Sequence, residues 1–375
     1  MKKKIAIIGA GVGGLTLANF LQNNSNFEFV IYEKGETLNL EEGFGIQLAV
    51  NSVSILNQVG FSSLNKSDVF NPEKLDFYSN ENKICDLDLT QFNSETEKYT
   101  TLKRSILIKF LKDRLFSNLI RFNKTLETVE RNQNTIKINF NDGVSEEVDY
   151  LVVSDGVFSQ TKSIIEKKSF TPNYYGAVAI RAQTKAKDVS EFKTENISIF
   201  MGSKAHVVSY PVNDSRDVNL VCILRKKLNE KKSTEQLFDK IFFNRNKHLL
   251  SLFNKDLKSW SIYTSSKPVK SNLKNVFYIG DAFYTFPPTL AQGASQSIES
   301  AKELYDLLVE NKQNIEDIYF EKRLTKTIMI NNRSRLNYFA FHFSNPVLKI
   351  LRNQFLKRLI KNNSFINRYL GRIYN

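Results

Sequence analysis

Lys4-Ile-Ala-Ile-Ile-Gly9-Ala-Gly11-Val12-Gly13-Gly14-Leu-Thr-Leu-Ala18 stands almost at the start of the 375-residue chain. Residues 5–8 are apolar and mostly β-branched, the composition of a strand buried on both faces of a parallel sheet. Gly9 then permits a tight turn, Gly11 lets the backbone approach a pyrophosphate, and Gly14 lets the following helix lie close to the strand. The helix N-terminus offers free N–H groups and the positive end of its dipole to phosphates. A Gly-x-Gly-x-x-Gly pattern alone is weak evidence. Here it follows a strand, opens an apolar helix over 15–21, and precedes a second strand over 27–32 that ends in Glu33, 19 residues beyond Gly14. A carboxylate at that place accepts both hydroxyls of an adenosine ribose, which favours FAD or NAD over a 2′-phosphorylated dinucleotide. The competing reading is a structural turn with a surface glutamate.

The composition fits a globular protein of two closely joined domains, 41% hydrophobic. Cys85 and Cys222 lie far apart and read as core thiols in a reducing compartment. Three scattered histidines, His206, His248 and His342, give little support to a metal site or a His-based triad, so no metal is expected. Met1-Lys-Lys-Lys runs straight into the first strand, which leaves no room for a signal peptide, and no run approaches 18 apolar residues. A cytoplasmic protein is expected.

Beyond Glu33, Gly43-Phe-Gly-Ile-Gln-Leu reads as a loop and short strand near the nucleotide, and a helix over 51–59 ends at Gly60. Residues 73–100 alternate apolar and polar, as antiparallel strands do. Arg104 opens a helix over 105–119, where it either reaches a phosphate or flavin or is simply solvated. Two β-rich runs over 126–140 lead to the hairpin signal Asn141-Asp142-Gly143. Val148-Asp-Tyr-Leu-Val-Val-Ser-Asp155-Gly156 is a further strand-to-helix junction, with Asp155 holding a cofactor group or bracing the turn. Between 170 and 270 alternating strands dominate, at 177–182, 197–201, 206–212 and 218–224. They form an antiparallel sheet whose face carries Phe200, Tyr210 and Pro211 and either builds a pocket or packs on the first domain. The chain then returns with Asn275-Val-Phe-Tyr-Ile-Gly280-Asp281-Ala282, followed by Pro287-Pro288, Gly293-Ala294 and a helix over 295–308 rich in small residues. An acid at a strand end beside a helix N-terminus suits a polyol hydroxyl and an electron-rich ring.

In this order these stretches resemble the class A FAD-dependent monooxygenases, the family of p-hydroxybenzoate, salicylate and ubiquinone-pathway hydroxylases. The resemblance covers roughly residues 3–310. It implies FAD held by Gly9, Gly11, Val12, Gly13, Gly14, Glu33 and Lys34, by Arg104 at the head of an FAD-contacting helix, by Asp155-Gly156, and by Gly280-Asp281 with Pro288, Gly293 and Ala294. Two places depart from the usual pattern: Phe283-Tyr284-Thr285 stands where many members carry Ala-His-Pro, and Ser154 precedes Asp155 where a small Gly-Ala pair is usual. The implied fold is α/β: a Rossmann-like FAD-binding domain (1–72, 101–170, 271–320), an inserted antiparallel β-sheet substrate domain (73–100, 171–270) and a basic C-terminal helical region (321–375). The implied activity is hydroxylation or epoxidation of an aromatic or electron-rich molecule with O2, through a flavin C4a-hydroperoxide. NAD(P)H would dock transiently, since no second Gly-x-Gly-x-x-Gly exists. The alternative on this fold is a reductase or cyclase acting on a prenyl lipid without oxygen insertion. Arg181, Tyr210 and Pro288 are candidates for substrate contact. Tyr210, His206 and Arg181 are placed by location as candidate bases, with packing or surface roles as the alternative.

The tail carries a different signal. Residues 322–375 hold twelve Lys and Arg and no acid, against a net charge of +14 for the chain. Val347, Leu348, Leu351, Phe355, Leu356, Leu359 and Ile360 recur at helical spacing among basic residues. Such a helix either docks its apolar stripe on the enzyme's own core or lies on a membrane surface, beside a lipid-like substrate. No nucleic-acid motif accompanies the charge.

Overall fold

In the computed structural model, residues 2–38, 40, 44–190, 192–242, 247–253 and 257–374 are described. Gly43 lies outside them, as do the side chains of residues 239–248, His248 included.

The opening strand, Lys3–Ile8, is the centre of a five-stranded sheet ordered Val276–Tyr278, Tyr150–Val153, Lys3–Ile8, Phe27–Tyr32, Ile120–Arg121. Every pairing in it is parallel. Side chains alternate across a strand, and the first strand obeys this strictly. Ile5 and Ile7 face helices Val12–Leu21, Arg104–Asp113 and Gly293–Glu310, whereas Ala6 and Ile8 face an antiparallel meander of Leu126–Asn132, Thr135–Phe140 and Ser145–Val148. The chain leaves Ile8 for a strand on one side and later returns to a strand on the other. In an open parallel sheet that reversal leaves a crevice at the strands' C-terminal ends. Ile8 pairs with both Tyr32 and Val153, and Val153 pairs with Tyr278. Gly9, Glu33, Ser154 and Ile279 therefore emerge side by side on that edge.

A second, seven-stranded sheet runs Ser259–Thr264, Asn173–Lys185, Asp217–Arg225, Ala205–Val212, Ile197–Met201, Lys74–Ser79, Asn82–Asp88. It is antiparallel except where Ile197–Met201 pairs with Lys74–Ser79. A small sheet of Gly45–Leu48, Thr100–Lys103 and Val69–Phe70 joins the two halves. The C-terminal region consists of the long helix Ile315–Phe341 and the helix Pro346–Ile360, followed by short turns.

Three expectations need adjusting. The helix expected over 105–119 stops at Asp113, because the following residues carry Asn118 in a left-handed conformation. Phe200 does not share a face with Tyr210. Its ring stacks on Tyr78 at 4.6 Å on the opposite side of the sheet, as their odd separation across the register requires. The apolar stripe of the Pro346–Ile360 helix is split. Leu356 and Ile360 pack inward on the sheet, while Val347, Leu348, Ile350, Leu351 and Phe355 point outward at 43–63% exposure.

Candidate active site

The phosphate turn is built from backbone geometry. Gly9 adopts φ +102°, and a Cβ on Gly14 would sit 2.2 Å from the Gly9 carbonyl oxygen and 2.7 Å from Ser154 Oγ. These two glycines are required by the fold itself. Gly11 differs: a Cβ there would meet nothing nearer than Ser154 O at 4.0 Å, and at Gly156 and Gly293 nothing within 4 Å. Glycine at those three positions leaves open volume along the crevice, and at Gly156 the backbone, at φ +88°, requires it as well. Ser154, one of the departures from the family pattern, donates to the carbonyls of Ile8 (2.9 Å) and Gly9 (2.8 Å) and so pins the turn.

Glu33 is held by the same turn. Its Oε2 accepts from Ala10 N at 2.8 Å and its Oε1 from Gly35 N at 2.9 Å. Each oxygen keeps a second acceptor direction, which is what a ribose diol needs. Lys34 is exposed beside it, and Val12 packs on the helical core.

Asp155 both braces and remains unsatisfied. Its Oδ2 accepts from Thr161 N at 3.3 Å, while its buried Oδ1 has no partner in the protein. Burial pushes its pKa up, against hydrogen bonds from Ser159 and Thr161. Lys162, buried behind it, donates to Ala282 O at 2.7 Å and ties this junction to the Gly280-Asp281-Ala282 turn. Burial lowers the Lys162 pKa, and Asp155 and Glu166 counter that. Gly280 takes φ +57° against Ser297. Asp281 is exposed, just past the end of the Val276–Tyr278 strand. Its surroundings push its pKa up to about 6, with Arg104 across from it pulling the other way. Arg104 also anchors its helix through Arg104 N to Phe44 O at 2.9 Å.

Beyond this crevice lies a cavity of about 740 Å³ between the seven-stranded sheet and the C-terminal helices. Gly293, Ala294 and Pro288 line its cofactor end, together with Arg181 and Tyr210. The rest of its wall is mostly aliphatic and aromatic, including Phe77, Ile199, Met201, Val208 and Ile223. The guanidinium of Arg181 lies over the Phe44 ring, 5.5 Å from its centroid, and Phe44 packs edge-on against Trp260. Tyr210 donates to Gly45 O at 2.6 Å and is driven further from ionisation by burial, so its hydroxyl positions the Gly45 strand rather than taking a proton. His206 reaches the wall too, but its Nδ1 lies 3.0 Å from His342 Nε2. Burial, then Arg225, holds the His206 pKa far below the usual imidazole range.

These observations fit a bound dinucleotide: a helix N-terminus behind open glycines, an acid with spare acceptors, an orphaned carboxylate oxygen, and a second acid at the next strand end. The family profile described as "FAD binding domain" matches residues 2–319. The chain belongs to this FAD-binding family, the class A flavoprotein monooxygenases. The chain is 23% identical to 3-amino-4-hydroxybenzoate 2-monooxygenase of Streptomyces cremeus over 90% of its own length and 88% of that enzyme's. It is 25% identical to 3-hydroxybenzoate 6-hydroxylase 1 of Aquipseudomonas alcaligenes over 91% and 90%. Among solved folds, Klebsiella pneumoniae HpxO complexed with FAD and uric acid superposes with a TM-score of 0.84 at 18% identity, covering 98% of this chain and 97% of that one. A salicylate hydroxylase substrate complex gives 0.78 at 17% identity, covering 100% and 98%.

The position of each motif in this flavoprotein was readable from sequence, but several supports were not. Ser154, Lys162, Asn219 (which accepts from Gly45 N at 2.8 Å) and His342 act through partners far away in the chain. Two of these left a trace: Ser154 as a departure from the family pattern, and Asn219 because Tyr210-Pro211 with Asn219 resembles the family's substrate sheet. Among the described residues there is no group of three metal-ligating side chains.

Proposed function

We propose that this flavoprotein uses NAD(P)H and O2 to hydroxylate or epoxidise an aromatic or otherwise electron-rich substrate of apolar, lipid-like bulk. One observation carries the reading: the helix N-terminus at Gly293-Ala294 belongs both to the dinucleotide crevice and to the wall of a mostly apolar cavity. In that arrangement a redox ring and an organic substrate share a water-poor space. Gly9, Gly11, Gly13, Gly14, Glu33 and Asp155 would hold the adenosine and pyrophosphate half of FAD. Arg104, Gly156, Gly280, Asp281, Pro288, Gly293 and Ala294 would hold the other half. FAD supplies hydride acceptance and oxygen activation when bound. The protein's own part is to orient the substrate and keep water away, which protects a reactive oxygen donor from wasteful decay.

Arg181 and Arg352 are the cations of the cavity wall. Arg181 is engaged over Phe44, and Arg352 donates to the Ala340 carbonyl and Ser79 hydroxyl. A mostly apolar wall with the Arg181 charge at one place suits a phenol, indole or prenylated aromatic that carries one polar or anionic group on an apolar body, and the volume lies in the upper half of the ~300–1,000 Å³ usual for ligand pockets. We place the enzyme in a reducing, cytoplasmic setting, with two free cysteines and a peripheral membrane contact through its basic C-terminal helix.

The test is aerobic NAD(P)H consumption by the FAD-loaded protein against phenols, indoles and prenylated aromatics, with product masses read in parallel. A compound that speeds consumption and gains one oxygen supports the reading. Consumption coupled to a reduced or cyclised product without added oxygen would replace it with the reductase or cyclase alternative.

A further inference from the structure

The outward face of the Pro346–Ile360 helix is an anomaly for a water-soluble surface. Val347, Leu348, Ile350, Leu351 and Phe355 are 43–63% exposed, and Leu336 and Phe339 on the neighbouring helix are 55% and 60% exposed. Single exposed apolar residues are ordinary, but a run of seven is not. The helix is also firmly seated, so this face is a fixed feature. Asn345 caps it through Val347 N at 2.8 Å, Arg352 is buried against Ala340 O at 3.2 Å, and Leu356 and Ile360 pack inward. Arg335, Lys357, Arg358 and Lys361 are exposed around the apolar group, in a segment that has no acidic residue from 322 to 375. Three residues of this patch, Leu336, Phe339 and Phe355, also line the cavity. The patch and the cavity's outer wall share these three side chains.

We infer that this rim seats on an anionic lipid surface and that a lipid-dissolved substrate passes from the bilayer directly into the cavity. The delivery half rests on the substrate reading above; the docking half stands apart from it. Apolar side chains ringed by Lys and Arg match the acyl boundary and anionic headgroups respectively. A second copy is a poorer occupant, because it would bring two basic faces together. Among the described residues no helix is long and apolar enough to cross a membrane, so the contact is interfacial.

The experiment uses the FAD-loaded full chain and two kinds of vesicle, phosphatidylcholine alone and phosphatidylcholine with phosphatidylglycerol, read by co-sedimentation. The wild type is expected to partition onto the anionic vesicles, more weakly at high salt. Val347→Ser/Ile350→Ser/Leu351→Ser, at exposed positions outside the cavity wall, lowers partitioning about a hundredfold. Lys357→Glu/Arg358→Glu removes the preference for anionic lipid. Delivery is read by the change that 4-dodecylphenol makes in the flavin spectrum. When it is carried in vesicles the triple variant responds more slowly, and when it is carried in cyclodextrin the two proteins respond alike. Docking is overturned if the wild type ignores anionic vesicles, if the triple variant binds as well as wild type, or if sedimentation velocity shows a dimer that the triple variant dissolves. Equal vesicle-borne responses, or none from the wild type, overturn delivery. Partitioning reads no turnover, so it stands or falls independently of the hydroxylase reading.

Discussion

Gly11 and Gly14 both belong to the phosphate turn, but they answer to different constraints. A methyl on Gly14 would collide with the Gly9 carbonyl at 2.2 Å, whereas one on Gly11 would meet only the crevice. Gly14→Ala is therefore expected to yield unstable, flavin-free protein, with a melting temperature well below wild type. Gly11→Ala should keep the apoprotein's melting temperature and weaken FAD at least about tenfold in titration, through lost approach to the pyrophosphate. Equal effects of the two would contradict this division. Glu33→Ala removes the acceptor of Ala10 N and the proposed ribose contact, and about tenfold to a hundredfold weaker FAD is expected by fluorescence titration. At this scale the glycines and Glu33 were legible because their roles are local. Ser154 and Lys162 were not: their carbonyl partners lie 145 and 120 residues away, and nothing in a linear pattern joins them.

Elements are placed by buried polar links as much as by apolar faces. The flavin-side helix Gly293–Glu310 is braced by Arg323, which donates to Gln296 Oε1 at 2.6 Å, while Gln296 donates to Gln292 at 3.0 Å. Arg323 also faces Glu299 and Glu303 at 3.5 and 3.4 Å. Arg323→Met removes the buried donor to Gln296 and leaves Glu299 to Asn51 and Lys326, and Glu303 to Lys322. A loss of up to about 3 kcal/mol is expected in denaturant unfolding, and an unchanged midpoint would count against the brace. The His206–His342 contact adds a pH signature. Burial and Arg225 hold both pKa values far below those of free imidazole, and His206 lowers that of His342 further. Unfolded, each takes a proton near pH 6.5, so the unfolded state binds more protons as pH falls below that value. Stability should decline from about pH 6.5 downward, by up to about 2.7 kcal/mol per unit for the pair. His206→Leu/His342→Leu should flatten that slope. The strand and helix succession was readable from periodicity, but which face Phe200 took depended on register, and how the C-terminal stripe divided depended on what packed beneath it.

Across the whole molecule, two sheets place a dinucleotide crevice against an apolar cavity. The first sheet was legible because a parallel sheet with a glycine turn has few alternatives. The cavity was not, because the 27-residue helix and its successor close it from the far end of the chain. Its size and apolar wall depend on side chains from the sheet and from the C-terminal helices together.

The most direct test of the central claim is product mass after turnover under ¹⁸O2, using a compound that stimulates NAD(P)H consumption. The account predicts one labelled oxygen atom in the product and none from labelled water. A product without label, formed while reductant is consumed, would contradict it.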